Sequence, residues 1–100
     1  MIDLNNIARQ SLKIAEHRKL ETDALSCLKH CAGEVIEAMD AYGKWRNEDY
    51  TTTKEEFENE LADVIICILS VSGSEGIDIE QAISRKMLIN EGRVKNGLCQ

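Results

Sequence analysis

The sequence predicts an all-α fold of four helices. Three observations carry this reading. The 100 residues contain no proline, they are rich in Ala, Leu, Ile, Glu and Lys, and apolar residues recur at helical spacing in four stretches separated by capping signals. Hydrophobic residues make up 43% of the chain and only four residues are aromatic, so the expected core is aliphatic. A chain of this length makes one domain with a thin core. Residues 1–93 read as that single helical domain. Residues 94–100, with Gly97 and no periodicity, read as a loose C-terminal tail.

Asn5 or Asn6 offers a cap for a first helix reaching to about Leu20, with Ile7, Ala8, Leu12 and Ala15 on its apolar side. This modestly apolar helix is expected to lie across the others. Thr22 or Asp23 caps a second helix from about Ala24 to Arg46, striped by Leu25, Leu28, Ala32, Val35, Ile36, Met39 and Tyr42. A polar loop spans residues 47–53. Thr53 with Glu56, or Thr52 with Glu55, matches the capping box that opens a third helix from Lys54 to about Ser72. Phe57, Leu61, Val64, Ile65, Ile68 and Val71 give it one broad apolar face, widened by Ile66 and Leu69. Such width calls for contact on several sides, more than one short chain supplies, so a second subunit is expected. Gly73 and Gly76 end this helix. Asp78 caps a fourth, with Gln81 at the capping-box position and with Ala82, Ile83, Met87 and Leu88 or Ile89 expected to face inward.

The formal charge of −6 speaks against a nucleic-acid polymer as partner, because that partner rewards Lys and Arg. The first residues lack a basic region followed by an apolar one, so no secretory leader is expected. The longest strictly apolar run, Val64 to Leu69, is too short for a bilayer, and no membrane partner is expected. Four cysteines without any Cys-x-x-Cys pair read as thiols of a cytoplasmic protein and speak against a zinc site.

Two pairs of carboxylates organise the chain: Glu34-Val-Ile-Glu37 on the second helix and Glu60-Leu-Ala-Asp63 on the third. A spacing of three places both members of a pair on one helix face. Beside Glu34 and Glu37 stand the small residues Cys27, Ala38 and Ala41, which leave room for a bound group. Asp63 leads straight into the apolar run. Carboxylates held near such a surface need partners. Gathered together they repel, at about 4 kcal/mol per pair for a separation of ~4 Å and an effective dielectric of ~20. Either the two pairs lie apart, or a cation sits between them. A cation between them is expected. On the fourth helix Lys86, Asn90 and Arg93 follow at intervals of four and three, forming one polar stripe.

With these residues in place, the chain resembles the MazG-like all-α nucleoside triphosphate pyrophosphohydrolases. The resemblance lies in Glu34-x-x-Glu37, 22 intervening residues, Glu60-Leu-Ala-Asp63-Val64-Ile65, then Gly76-Ile77-Asp78 and Lys86-Met-Leu-Ile-Asn90-x-x-Arg93. It covers roughly Cys27 to Arg93. It implies a four-helix subunit assembling into an oligomeric helical bundle, a homodimer or homotetramer. It also implies Mg²⁺-dependent cleavage of a nucleotide between the α- and β-phosphates, giving a monophosphate and pyrophosphate, with Mn²⁺ as a substitute ion. By position, Glu34, Glu37, Glu60 and Asp63 would be metal ligands. Lys86, Asn90 and Arg93 would lie at the substrate phosphates, and Glu34, Glu37 and Lys86 would be catalytic. One departure stands out: Gly33 occupies a place where many members carry a glutamate.

The residue types suit that chemistry. Phosphoanhydride cleavage needs phosphate charge neutralised and a water placed in line. Mg²⁺ prefers oxygen and takes one or two carboxylates together with phosphates. Lys86 and Arg93 would offset charge on the phosphates. Glu34 or Glu37 would take the water's proton. Tyr42, Trp45 and the first helix, whose end carries His17-Arg18-Lys19, are candidates for enclosing the nucleotide. Two rivals use the same residues: a non-catalytic oligomerisation or adaptor module, and a hydrolase of a modified nucleotide or nucleotide sugar. A di-iron bundle is set aside, because His17 and His30 follow Ile14 and Cys27 rather than glutamate at the required spacing.

Overall fold

The computed structural model describes residues 2–47, 52–95 and 97. These form four helices and no strand: α1 Leu4–His17, α2 Ala24–Arg46, α3 Lys54–Glu75 and α4 Ile79–Lys95. None of them is long and apolar enough to cross a membrane. Most of the expected 47–53 loop and most of the tail lie outside the described residues, although helix α4 itself continues through Val94 to Lys95.

Side chains at the helix starts satisfy backbone donors that have no partner within the helix. Asp23 accepts from the Ser26 backbone N–H. Thr53 and Glu56 form a full capping box. Asp78 accepts from the Gln81 N–H. The first helix differs from expectation: Asp3, not Asn5 or Asn6, is its cap, accepting from the Asn6 N–H at 3.0 Å. Asn5 is occupied elsewhere. Its side chain donates to Asp78 and accepts from the Ile79 N–H, and its backbone N–H donates to Glu80, tying the start of α1 to the start of α4.

Helix α3 is the centre of the chain, with α2 antiparallel on one side and α1 on the other. Gly76, in the left-handed conformation, ends it. Gly73 does not. It lies within α3, where a Cβ would stand 2.7 Å from the Ala8 carbonyl oxygen, so its missing side chain lets α1 approach. Ala8, Leu69 and Ser72 are buried at that crossing, while Cys31 and Ala38 are buried on the α2 side. Helix α4 contacts the rest of the chain mainly through α1 and buries no residue of its own. Ile83, Met87, Leu88 and Ile89, expected to face inward, are exposed, as are Ile36 and Met39 of α2 and Leu61, Ile65 and Ile68 of α3. The radius of gyration is 16.1 Å, against about 13 Å for a compact chain of this length.

Candidate metal centre

The antiparallel pairing of α2 and α3 decides which side chains meet. At one end Trp45 stacks on Phe57 with ring centroids 5.5 Å apart, and Tyr42 lies 5.3 Å from Phe57. Tyr42 and Trp45 therefore pack α2 against the start of α3. Farther along, the Cys31 and Cys67 thiols of the two helices lie near enough to act on each other electrostatically. Between these two contacts the same register brings the two acidic motifs face to face.

Glu34, Glu37 and Glu60 each present a carboxylate oxygen within 4.8 Å of the others. Asp63 stands outside this trio, yet its charge acts on Glu34 and Cys67. Burial pushes the Glu34 carboxyl above its ordinary value. The charges of Glu37, Asp63 and Glu60 push it the same way, while His30 opposes them. A ring nitrogen of His30, one turn earlier on α2, lies 3.2 Å from the Glu34 carboxylate. The nearby Cys67 thiol is pushed up to about 12, chiefly by burial.

Among the described residues, two buried side-chain polar atoms have no hydrogen-bond partner, Glu60 Oε2 and Asn90 Oδ1. An orphaned carboxylate oxygen beside two further carboxylates is costly without a cation. Three oxygen donors of this kind suit a hard divalent ion such as Mg²⁺ or Mn²⁺. The donor set therefore fits the metal that the resemblance implies.

Two cavities flank the cluster. The inner one, about 370 Å³, lies between the end of α1, the start of α2 and the middle of α3, with Ser11, Ile14, Arg18 and Ser26 in its lining. The outer one, about 680 Å³, is lined by Glu37, Glu60, Lys44 and Thr52 among others. Lys44 is paired with Asp40 at 3.1 Å. Lys86, Asn90 and Arg93 are not gathered here within one chain. Helix α4 has no packing against α2 or α3 comparable to its contact with α1, and no residue of α4 lines either cavity.

Sequence reasoning left His30 out of the site. Its position four residues before Glu34, on the same helix face, was the available signal. No family model, no curated protein and no solved structure matches this chain.

Proposed function

We propose that this chain is a Mg²⁺-dependent nucleotide pyrophosphohydrolase that cleaves a nucleoside triphosphate between its α- and β-phosphates, and that it works as a homo-oligomer. The observation that carries the proposal is the Glu60 oxygen left without a partner among the Glu34 and Glu37 carboxylates, on the register that joins the two acidic motifs. Glu34, Glu37 and Glu60 would hold the ion, with Asp63 adjoining. Bound there, Mg²⁺ would neutralise phosphate charge and favour ionisation of the attacking water. The carboxylate least engaged by the ion, Glu34 or Glu37, accepts the water's proton. The inner cavity, apolar at Ile14 and polar at Ser11, Arg18 and Ser26, has room for the nucleoside.

The cations that answer the triphosphate come from a second copy in this proposal. Two features support that. Asn90 Oδ1 is the other orphaned polar atom, and it sits on the stripe that also carries Lys86 and Arg93. Exposed Ile83, Met87, Leu88 and Ile89 on α4, and Ile36, Leu61 and Ile65 on α2 and α3, are apolar surface of the kind that subunit association buries. Association would bring one subunit's stripe to the other's carboxylates. Lys86 and Arg93 would then bind phosphate oxygens.

The deciding experiment incubates the purified protein with Mg²⁺ and each common ribo- and deoxyribonucleoside triphosphate, and measures pyrophosphate and monophosphate. Both products from at least one nucleotide support the proposal. Diphosphate with orthophosphate would move the cleavage point and contradict it. No turnover on this panel by a folded oligomer would favour the adaptor reading, and turnover only of a modified nucleotide or a nucleotide sugar would move the substrate class.

A further inference from the structure

The Glu34 carboxylate faces two different sets of neighbours. On one side are Glu37 and Glu60, all oxygen. On the other are His30 and Cys67, and here too one ligand atom from each of His30, Glu34 and Cys67 lies within 4.8 Å of the others. Imidazole nitrogen, carboxylate oxygen and thiol sulfur form a donor set that Mg²⁺ does not select and that zinc-class ions do. We propose that His30, Glu34 and Cys67 form a second cation site, selective for Zn²⁺ or a similar borderline-soft divalent ion.

Three features argue for it. First, the donors come from two helices that already pack along each other and are tied at one end by the aromatic cluster, so little ordering remains for the metal to impose. Second, three protein ligands leave a fourth tetrahedral position, and both His30 and Cys67 line the inner cavity, so that position opens onto space for water or a ligand. Third, His30 and Glu34 already lie 3.2 Å apart, close to the ligand–ligand spacing of roughly 3.3–3.8 Å that bonds of ~2.0–2.3 Å to a tetrahedral ion require. Binding converts the Cys67 thiol to a thiolate and releases its proton to solvent. The absence of a Cys-x-x-Cys pair argues only against a cysteine-rich structural site and has no bearing on a mixed site shared between two helices.

The test needs no nucleotide and no turnover, so its outcome is separate from that of the hydrolase proposal. The full chain, kept reduced and free of oxygen, is titrated with Co²⁺ and then Zn²⁺. One equivalent of Co²⁺ should give the visible bands of a tetrahedral ion and a near-ultraviolet thiolate-to-cobalt charge-transfer band, and Zn²⁺ should abolish both. Cys67→Ser should remove the charge-transfer band. His30→Ala, at a side chain 69% exposed and so harmless to folding, should weaken binding by at least about tenfold. A folded, reduced protein that shows no charge-transfer band overturns the proposal. So does a band that survives Cys67→Ser unchanged, or a six-coordinate Co²⁺ spectrum lost only in Glu60→Gln, which would put the ion among the carboxylates.

Discussion

The two halves of the proposed site contrast sharply. The carboxylate half is assembled within one chain: α2 and α3 run side by side, and their pairing brings Glu34, Glu37 and Glu60 together. The cationic half is not. Lys86, Asn90 and Arg93 ride on a helix attached mainly through α1, by hydrogen bonds at its own N-terminal end. One half carries an orphaned acceptor that calls for a cation, and the other carries one that calls for a donor or a metal. Under the proposed function, the metal centre would be complete at the level of a helix pair and the substrate site only in an assembly.

The largest expected effect comes from breaking the carboxylate half. Glu60→Gln should lower pyrophosphate release at least about 100-fold, since losing a group that only supports a metal ligand already costs roughly 10- to 100-fold. The same variant should melt no lower than the parent without metal, because it relieves repulsion, and should lose the rise in melting temperature that Mg²⁺ gives the parent. At a concentration about 100 times its Kd, that rise corresponds to roughly 2.7 kcal/mol. Breaking the other half should look different. Lys86→Ala should lower turnover by about 100-fold, the low end of what loss of one charge-stabilising donor costs, yet leave the Mg²⁺-induced stabilisation intact.

Two smaller effects sharpen the contrast. Gly73→Ala forces a methyl group against the Ala8 carbonyl at the α1–α3 crossing. It should cost about 1–3 kcal/mol, read by denaturant melts, with no change in helix α2 or its acidic motif. The smallest effect is one of pH. Glu34 has its pKa raised in the folded state above the ordinary 4.5, so there the folded protein holds more proton than the unfolded chain. Metal-free stability from this group should therefore be present at low pH and be lost as pH rises through the folded value. The capping residues Asp3, Asp23 and Asp78 are lowered by their hydrogen bonds, and their contribution is lost as pH falls below the ordinary 3.8. Melting curves against pH, with and without Mg²⁺, separate the two: the ion should remove the loss at higher pH and leave the loss at low pH unchanged.

What could be read from the sequence was local or periodic. Asp23, Thr53 with Glu56, and Asp78 were legible as caps because a cap is set within four residues. That Glu34 and Glu37 share a helix face was legible because a spacing of three fixes it, but spacing alone left open whether the two pairs meet, and of the second pair Glu60 joins them while Asp63 stands outside the trio. The misreadings are tertiary. Asn5 is an attractive cap until its side chain is seen holding Asp78 and Ile79. Gly73 reads as a helix end until Ala8 is seen against it. The meeting of His30 with Cys67 depends on helix register, which no short stretch encodes. The inward face expected of α4 is an apolar stripe that the chain leaves exposed.

The central claim is that one subunit supplies carboxylates and another supplies the Lys86 stripe. Mixing two inactive variants, Glu60→Gln and Lys86→Ala, tests it most directly. Under this account a mixed dimer holds one intact site, so random exchange of equal amounts should restore up to about a quarter of parent turnover. Turnover that stays at the level of the separate variants, while subunit exchange is demonstrated by mass or fluorescence, would contradict the account and place both halves of the site in a single chain.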